Sequence, residues 1–228
     1  MASARRAGVR RVVLTSSVAA LRGSGQKPRN GEFFTSDDWN TVSTKDGPGM
    51  EAYQYGKTQS EKEALQFGRE HGIEVVSILP TFLLGPPRSS GVKSASLQQV
   101  RRWLRGEGKV QTRLICDVRD AARAHLAAAE MPGEALSESR RFIVGQERRT
   151  SAEELRELLI RGCLDMSLPA PVSPADDWIF SEDLKGDKEV ETSASLRALG
   201  IGSGAEHLLP VAQTVGDMLK VLLQETAS

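Results

Sequence analysis

The feature that most constrains the fold is a strand, a long helix and a second strand in succession. Arg11 to Thr15 is a short, β-branched and apolar run, the pattern of a strand buried on both faces. A helical segment around Tyr53 is predicted to end at Gly72. Ile73 to Leu79 is a second buried-strand run, and Pro80 breaks it. This order predicts two parallel strands whose carboxyl ends share one edge of a sheet.

A ligand site is expected at that edge. Ligands of open α/β sheets bind outside the carboxyl ends of the strands. Ser17 and Pro80-Thr81 lie at those ends, and the helix that contains Tyr53 and Lys57 starts from the same edge. The topology alone therefore predicts that these polar and backbone-shaping residues converge.

Tyr53 and Lys57 are one helical turn apart, so they project from the same face of the helix. A positive charge beside a phenol favours the phenolate and lowers the phenol pKa. Such a group suits general acid–base chemistry on an alcohol or carbonyl oxygen. A tyrosine and a lysine four residues apart also occur by coincidence on exposed helices. The residues at the ends of the two flanking strands, Ser17 and Pro80-Thr81, are therefore what favours a catalytic site here.

Composition excludes several classes of function. The chain has 228 residues and equal numbers of acidic and basic side chains, so its charge indicates neither nucleic-acid nor membrane-surface binding. No apolar run approaches the roughly 20 residues that span a bilayer. Only two cysteines occur, which predicts a reducing, cytoplasmic compartment. The Arg-rich start is similar to a transit peptide, but a short helix that ends at Gly8 is the favoured interpretation.

The remaining sequence predicts further helices and strands. The helices are Ala2–Ala7, Leu97–Gly106, Asp117–Met131, Ala194–Leu199 and Val211–Gln224, and the strands are Val110–Cys116 and Arg141–Val144. Ser151-Ala152-Glu153-Glu154 matches a capping box at the start of one more helix. Leu168 to Asp187 contains several prolines and is predicted to be mostly loop.

Several motifs in this order resemble the extended short-chain dehydrogenase/reductase family. They are Val12-Val13-Leu14-Thr15-Ser16-Ser17, Trp39, Tyr53-x-x-x-Lys57, Ile78-Leu79-Pro80-Thr81 with Gly85-Pro86, and Asp117-Val118-Arg119-Asp120 with His125. The dihydroflavonol reductase and cinnamoyl-CoA reductase branch is the most similar. The resemblance implies an α/β fold: an incomplete Rossmann-type parallel sheet, its C-terminal half, with a small C-terminal α/β substrate domain. Residues 1–85 would belong to the Rossmann domain and 86–228 mainly to the substrate domain, with 108–150 returning to the sheet.

The resemblance also implies roles for individual residues. Ser17 would hydrogen-bond the substrate oxygen, Tyr53 would transfer the proton, and Lys57 would hold the nicotinamide ribose and lower the pKa of the tyrosine. Contacts with the cofactor, NADP or alternatively NAD, are implied for Ser16, Tyr53, Lys57, Pro80, Thr81 and Leu83. The implied reaction is the reduction of a small-molecule carbonyl or the oxidation of an alcohol.

One family element is absent from this sequence. Relatives begin with a strand and a Gly-rich turn that cradles pyrophosphate at a helix N-terminus. Gly200 to Gly204 follow a helix rather than a strand, so they are interpreted as a helix C-cap and a turn. A second hypothesis is therefore a truncated, non-catalytic paralogue or fragment, which acts as an interaction module or does not fold independently. Arg11 to Thr15 would then form an open sheet edge.

Other chemistry-bearing residues receive structural interpretations. The two cysteines are predicted core residues, because no motif places a histidine beside them. The three histidines are scattered and lack the spacing of metal ligands. Asp117 and Asp120 are predicted to start a helix rather than to act as paired carboxylates. The arginines of Arg101–Arg105 are interpreted as a solvated face, with phosphate or CoA contact as the alternative. The sequence leaves the oligomeric state open.

Overall fold

Helices and short strands alternate along the chain. A computed structural model describes residues 1–89, 91–137, 140–166, 179–180, 190–201 and 207–223. The helices are α1 Ala2–Arg6, α2 Glu51–His71, α3 Ala95–Leu104, α4 Val118–Glu130, α5 Ala152–Asp165, α6 Ser193–Ala198 and α7 Val211–Leu223. The strands are β1 Arg11–Thr15, β2 Glu74–Pro80, β3 Phe82–Leu84, β4 Lys109–Val110, β5 Ile115–Asp117, β6 Arg141–Val144 and β7 Ile179–Phe180. Two 3-10 helices cover Val18–Ala20 and Gly133–Ser137.

The chain divides into two compact units. The first consists of Met1–Thr81, Ala121–Glu147 and Lys185–His207, and the second of Phe82–Asp120, Arg148–Leu184 and Leu208–Ser228.

A three-stranded parallel sheet in the order β1-β2-β6 is the frame of the first unit. Val13 pairs with Val76, and Leu79 pairs with Ile143. Because all three strands run in the same direction, their carboxyl ends lie at one edge. The predicted α/β class and the parallel pairing around α2 are confirmed.

Helix α2 crosses between β1 and β2 and packs on the sheet through its small and apolar side chains. Ala64 is buried against Val75, with Leu14 on β1 beside them. The helix ends at Gly72, which adopts the left-handed conformation with φ of +67°. This conformation strains residues that have a Cβ atom, so the predicted glycine stop has a direct steric reason.

The burial predicted for β1 is wrong, whereas that for β2 is confirmed. Six of the seven residues of β2 are buried, but no residue of β1 is. Strand β2 has a neighbouring strand on both sides, and β1 pairs only with β2 among the described residues. An apolar run reports the preference of a strand for burial, but it does not report how many neighbours the strand has.

The second unit has its own apolar core. Trp103 of α3 is almost fully buried, and its indole Nε1 donates to the carbonyl of Lys109 at 3.0 Å. Leu155 of α5 and Met218 of α7 are fully buried in the same cluster. Strands β3 and β5 pair in parallel, and so do β4 and β7.

The single strand predicted over Val110–Cys116 is wrong, because this stretch forms the separate strands β4 and β5. Between them, Arg113 makes an isolated antiparallel bridge to Thr150, with both backbone hydrogen bonds formed. The backbone of Arg113 therefore pairs with neither the partner strand of β4 nor that of β5, and it separates these two strands.

The helix caps agree with the sequence in most cases. Ser151 Oγ accepts a hydrogen bond from the Glu154 backbone amide at 3.0 Å, as an N-cap residue should. The Glu154 carboxylate binds Arg148 instead of completing a capping box. Gly200 has a φ of +68° after α6, as a C-terminal stop requires. Most of the loop predicted over 168–187, the turn at 202–204 and the end of α7 at 224 lie outside the described residues.

Two glycines within α2 give a matched stability test. A Cβ atom at Gly56 would meet nothing within 4 Å, so we expect Gly56→Ala to stabilise the protein by about 0.5–1 kcal/mol through helix propensity. A Cβ atom at Gly68 would lie 2.6 Å from the Ile73 carbonyl oxygen and from Val75 Cγ2, so we expect Gly68→Ala to destabilise it by roughly 1–3 kcal/mol. Chemical denaturation measures both changes. Changes of the same sign would contradict the observed packing of α2 on the sheet.

Candidate active site

The two serines that follow β1, Ser16 and Ser17, bind different partners. The Ser16 amide donates to the Ile78 carbonyl at 2.8 Å and so continues the pairing with β2. The buried Ser16 hydroxyl donates to Glu61 Oε2 at 2.7 Å. Ser17 Oγ accepts from the Ala19 amide at 3.1 Å and caps the 3-10 helix Val18–Ala20. Ser16 is therefore committed to the protein interior, and Ser17 lies half-buried at the sheet edge.

Tyr53, Lys57 and Glu61 occupy one face of α2 at successive turns. Lys57 Nζ lies 6.0 Å from the centroid of the Tyr53 ring and donates to the carbonyl oxygen of Thr15 at 3.3 Å. The exposed fraction is 46% for Tyr53 and zero for Glu61. The helix face thus runs from a solvent-accessible phenol, through an ammonium at the strand end, to a buried carboxylate.

A buried ion pair holds this face in place. Arg141 of β6 donates through Nε to Glu61 Oε1 at 2.8 Å. Its Nη1 donates to the backbone carbonyls of Ser36 and Asp38, and its Cζ lies 3.6 Å from the centroid of the Trp39 ring. Because hydrogen bonds and an aromatic face surround both charges, their removal from water is compensated. The pair joins α2, β6 and the loop before α2.

The end of β2 contains the other predicted cofactor contacts. Pro80 pairs with Val144, and the Thr81 amide donates to the Val144 carbonyl at 3.0 Å. Thr81 Oγ1 is buried and has no hydrogen-bond partner among the described residues. A Cβ atom at Gly145 would overlap this hydroxyl, so a larger residue there would displace the Thr81 side chain.

The structure places most of the predicted site residues at one edge of the first unit. Lys57 contacts the end of β1 directly and lies beside Tyr53, Ser17 follows the same strand end, and Thr81 follows the end of β2. Leu83 lies in the second unit, on β3 opposite Cys116.

The sequence reasoning missed the residues that support the site. Glu61 continues the four-residue spacing of Tyr53 and Lys57, and this spacing was an available signal. Arg141 lies 80 residues after Glu61 in the sequence. A charged residue at the start of an apolar strand was the only local sign that Arg141 has a buried partner. Asn40 binds the segment after Ser17 directly and is linked through Ser43 to Gln54, the residue after Tyr53, and no sequence signal marks it.

His125 of α4 contacts the other side of the strand end. Its Nε2 lies 2.7 Å from Thr15 Oγ1, and its Nδ1 lies 2.7 Å from the Ala121 carbonyl oxygen. A carbonyl only accepts hydrogen bonds, so Nδ1 carries a proton. In the neutral imidazole, the Thr15 hydroxyl then donates to Nε2.

The acidic residues that start α4 have structural partners. Asp117 accepts from the amide and the side chain of Arg119, and Arg119 also binds Asp217. Burial alone would raise the pKa of Asp117, but the hydrogen bonds from Arg119 and Thr214, together with the charge of Arg119, hold this pKa below its usual value. Asp120 Oδ2 accepts from the Leu209 amide. The helix-start interpretation is confirmed for Asp117.

The two cysteines, and the arginines at the C-terminal end of α3, also have structural explanations. Cys116 and Cys163 are buried and neither forms a disulfide, and burial raises the pKa of Cys163. Arg102 and Arg105 are exposed and pair with Glu107, as a solvated face would. Within the described ranges, no group of three or more His, Cys, Asp or Glu residues is arranged to hold a metal ion. The same part of the chain contains no helix with the length and apolarity to cross a membrane.

Solved structures show the class of fold. Yeast methylglyoxal/isovaleraldehyde reductase, in complex with NADPH, aligns with 99% of this chain and 68% of its own at a TM-score of 0.75 and 23% identity. UDP-glucose 4-epimerase of Thermotoga maritima aligns with 100% of this chain and 67% of its own at a TM-score of 0.69 and 18% identity. The fold is therefore of the Rossmann type found in such reductases and epimerases.

Sequence comparison shows the family. Residues 1–145 match the NAD dependent epimerase/dehydratase family, and the chain belongs to it. Cinnamoyl-CoA reductase 1 of Arabidopsis thaliana is 31% identical over 176 residues, which are 73% of this chain and 47% of that protein. A putative dihydroflavonol 4-reductase of Synechocystis is 31% identical over 183 residues, 78% of this chain and 49% of that protein. The chain spans about half the length of these relatives, and the family assignment made from the motifs is confirmed.

The Glu61–Arg141 pair gives a stability prediction. Glu61→Gln leaves the Arg141 charge buried without its partner, so we expect a loss of about 3–5 kcal/mol in the free energy of unfolding. Glu63→Gln, an exposed change on the same helix, should alter it by less than about 0.5 kcal/mol. Urea denaturation measures both, and the double variant Glu61→Gln/Arg141→Met should recover part of the loss. Equal effects of the two glutamine variants would show that the pair does not anchor α2.

Proposed function

We propose that this chain carries the carbonyl-binding and nicotinamide-binding residues of an NAD(P)-dependent reductase, with Ser17, Tyr53 and Lys57 as its catalytic set. The observation that carries the proposal is the hydrogen bond from Lys57 Nζ to the Thr15 carbonyl. It ties the helix face of Tyr53 to the strand end that Ser17 follows. Acid–base chemistry at a substrate oxygen requires such a convergence of a proton donor, a cation and a hydroxyl.

The residues at the edge of the sheet fit a nicotinamide dinucleotide. Thr81 offers a buried hydroxyl with no partner among the described residues, and a nicotinamide carboxamide has the donor and acceptor atoms to bind it. The backbone approaches closely at Gly145, which keeps a side chain out of this position. Lys57 has ammonium hydrogens to share between the Thr15 carbonyl and the ribose hydroxyls of a cofactor.

Each side chain has a defined task in the proposed reaction. Ser17 Oγ accepts from Ala19, so its own hydrogen can donate to the substrate carbonyl oxygen. Tyr53 transfers its phenolic proton to that oxygen, and the positive charge of Lys57 stabilises the phenolate that remains. A bound nicotinamide cofactor supplies the hydride that reduces the carbonyl carbon. Run in reverse, the same groups oxidise an alcohol.

The relatives support a choice of cofactor and substrate class. Two of the similar structures are complexes with NADPH, which supports NADP as the cofactor, with NAD as the alternative. The reductases of cinnamoyl-CoA and the putative dihydroflavonol reductase support a small carbonyl or thioester substrate that bears an aromatic group. Two buried cysteines that form no disulfide support a reducing compartment such as the cytoplasm.

The two tyrosines of the chain test the proposal. We expect Tyr53→Phe to lower kcat by about 10²–10⁴-fold, because it removes the general acid. Tyr55→Phe, a half-buried neighbour outside the proposed set, should leave kcat within about twofold. The assay follows NADPH oxidation with aromatic aldehydes, ketones and aryl-CoA thioesters as substrates. Turnover that survives Tyr53→Phe, or that both variants abolish alike, would refute the proposed role of Tyr53.

A further inference from the structure

Asn40 holds the short 3-10 helix Val18–Ala20, which Ser17 caps. The residue is buried, with an exposed fraction of 5%. Its backbone amide donates to the Ala20 carbonyl at 2.8 Å, and its side-chain Nδ2 donates to the Ala19 carbonyl at 3.3 Å. Two consecutive carbonyls of the segment capped by Ser17 therefore bind this one asparagine.

The same side chain reaches α2 through Ser43. Asn40 Nδ2 donates to Ser43 Oγ at 2.9 Å, and Ser43 Oγ donates to Gln54 Oε1 at 2.9 Å. Asn40 Oδ1 accepts from the amides of Val42 and Ser43. Both side-chain hydrogens of Asn40 and both lone pairs of its oxygen are thus used, which fixes its orientation. Gln54 is the residue after Tyr53, so this bridge ends beside the proposed acid.

Close packing leaves the bridge little freedom. A Cβ atom at Gly23 would lie 2.5 Å from Val42 Cγ2, 2.6 Å from Ser43 Oγ and 2.8 Å from Asn40 Oδ1. The backbone of Gly23 therefore packs directly against the bridge, and Gln26 ties the same loop together by accepting from the amides of Gly23 and Thr41.

We propose that Asn40, acting through Ser43 and Gln54, is a positioning residue that sets where the Tyr53 phenol lies relative to the Ser17 hydroxyl. The inference rests on the proposed function. Lys57 is held separately by the Thr15 carbonyl, and Glu61 by Arg141. Loss of the bridge should therefore displace the proton donor while the cofactor contact of Lys57 remains, so it should affect turnover more than cofactor affinity.

Kinetics of bridge variants test this role. We expect Asn40→Ala to lower kcat by about tenfold or more, because a displacement of about 1 Å is costly for a reacting group. The Kd for NADPH should stay within about twofold, because Lys57 keeps its own anchor. Gln54→Met, which removes the acceptor for Ser43, should reproduce the fall in kcat, and Gln54→Glu, which keeps an acceptor oxygen in the first turn of α2, should restore most of it. Thr44→Ala is the matched control, since this exposed residue is next to Ser43.

The outcomes separate a positioning role from a merely structural one. A fall in kcat with unchanged cofactor Kd and rescue by Gln54→Glu supports positioning. Equal losses of kcat and cofactor affinity, or an Asn40→Ala variant as active as Thr44→Ala, overturn it.

A second readout does not depend on activity. A wild-type chain without turnover would count against the proposed function. In that case, amide hydrogen exchange still tests whether Asn40 links the segment after Ser17 to the start of α2. Faster exchange in Asn40→Ala at both residues 19–21 and 50–54 supports a link between the two segments. Acceleration confined to residues 41–46 overturns it.

Discussion

The ion pair between Glu61 and Arg141 is the interaction on which the arrangement of the site depends. It joins a helix and a strand that are 80 residues apart, and neither charge is exposed enough to be solvated by water instead. Ser16, two backbone carbonyls and the Trp39 ring also contact the pair. Such a pair is stabilising only when these partners are in place, so it favours a single position of α2 over others. Tyr53 and Lys57 precede Glu61 on the same helix, so the position of α2 also determines which side of the helix carries them toward the sheet edge.

The side chains at the end of β1 point alternately to the two faces of the sheet, and this determines which helix each of them contacts. Successive side chains of a strand point to opposite faces, so Ser16 reaches Glu61 on α2 while Thr15 reaches His125 on α4. The backbone carbonyl of Thr15 is left for Lys57. Thr15, the last residue of β1, and Ser16, which follows it, therefore contact different helices, and Ser17 is the next residue along the chain. Parallel pairing with β2 brings Thr81 to the same edge.

Local patterns predicted the frame and the reactive face, and long-range contacts explain what they missed. The βαβ order, the glycine stop at Gly72 and the four-residue spacing of Tyr53 and Lys57 depend only on neighbouring residues, so they are readable from the sequence. The partner of Glu61 cannot be read from the sequence, because no short-range pattern indicates that a carboxylate on a polar helix binds an arginine far away in the chain. Two other features also depend on distant residues and were not predicted. They are the incomplete burial of β1 and the division of Val110–Cys116 by the bridge between Arg113 and Thr150. The asparagine bridge at Asn40 depends on loop geometry, for which the sequence gives no periodic pattern.

Binding of nicotinamide cofactors to the purified chain is the most direct measurement of what this sheet edge does. Isothermal titration calorimetry with NADPH and NADH would compare the wild type with Lys57→Met and with Lys45→Met, which removes an exposed lysine of the loop before α2. A site built on Lys57 predicts saturable binding that Lys57→Met weakens by about tenfold or more, since a charge-assisted hydrogen bond contributes roughly 1.5–3 kcal/mol. Lys45→Met should leave the Kd unchanged. A folded chain that binds neither cofactor, or binds equally well without Lys57, would contradict the proposed site.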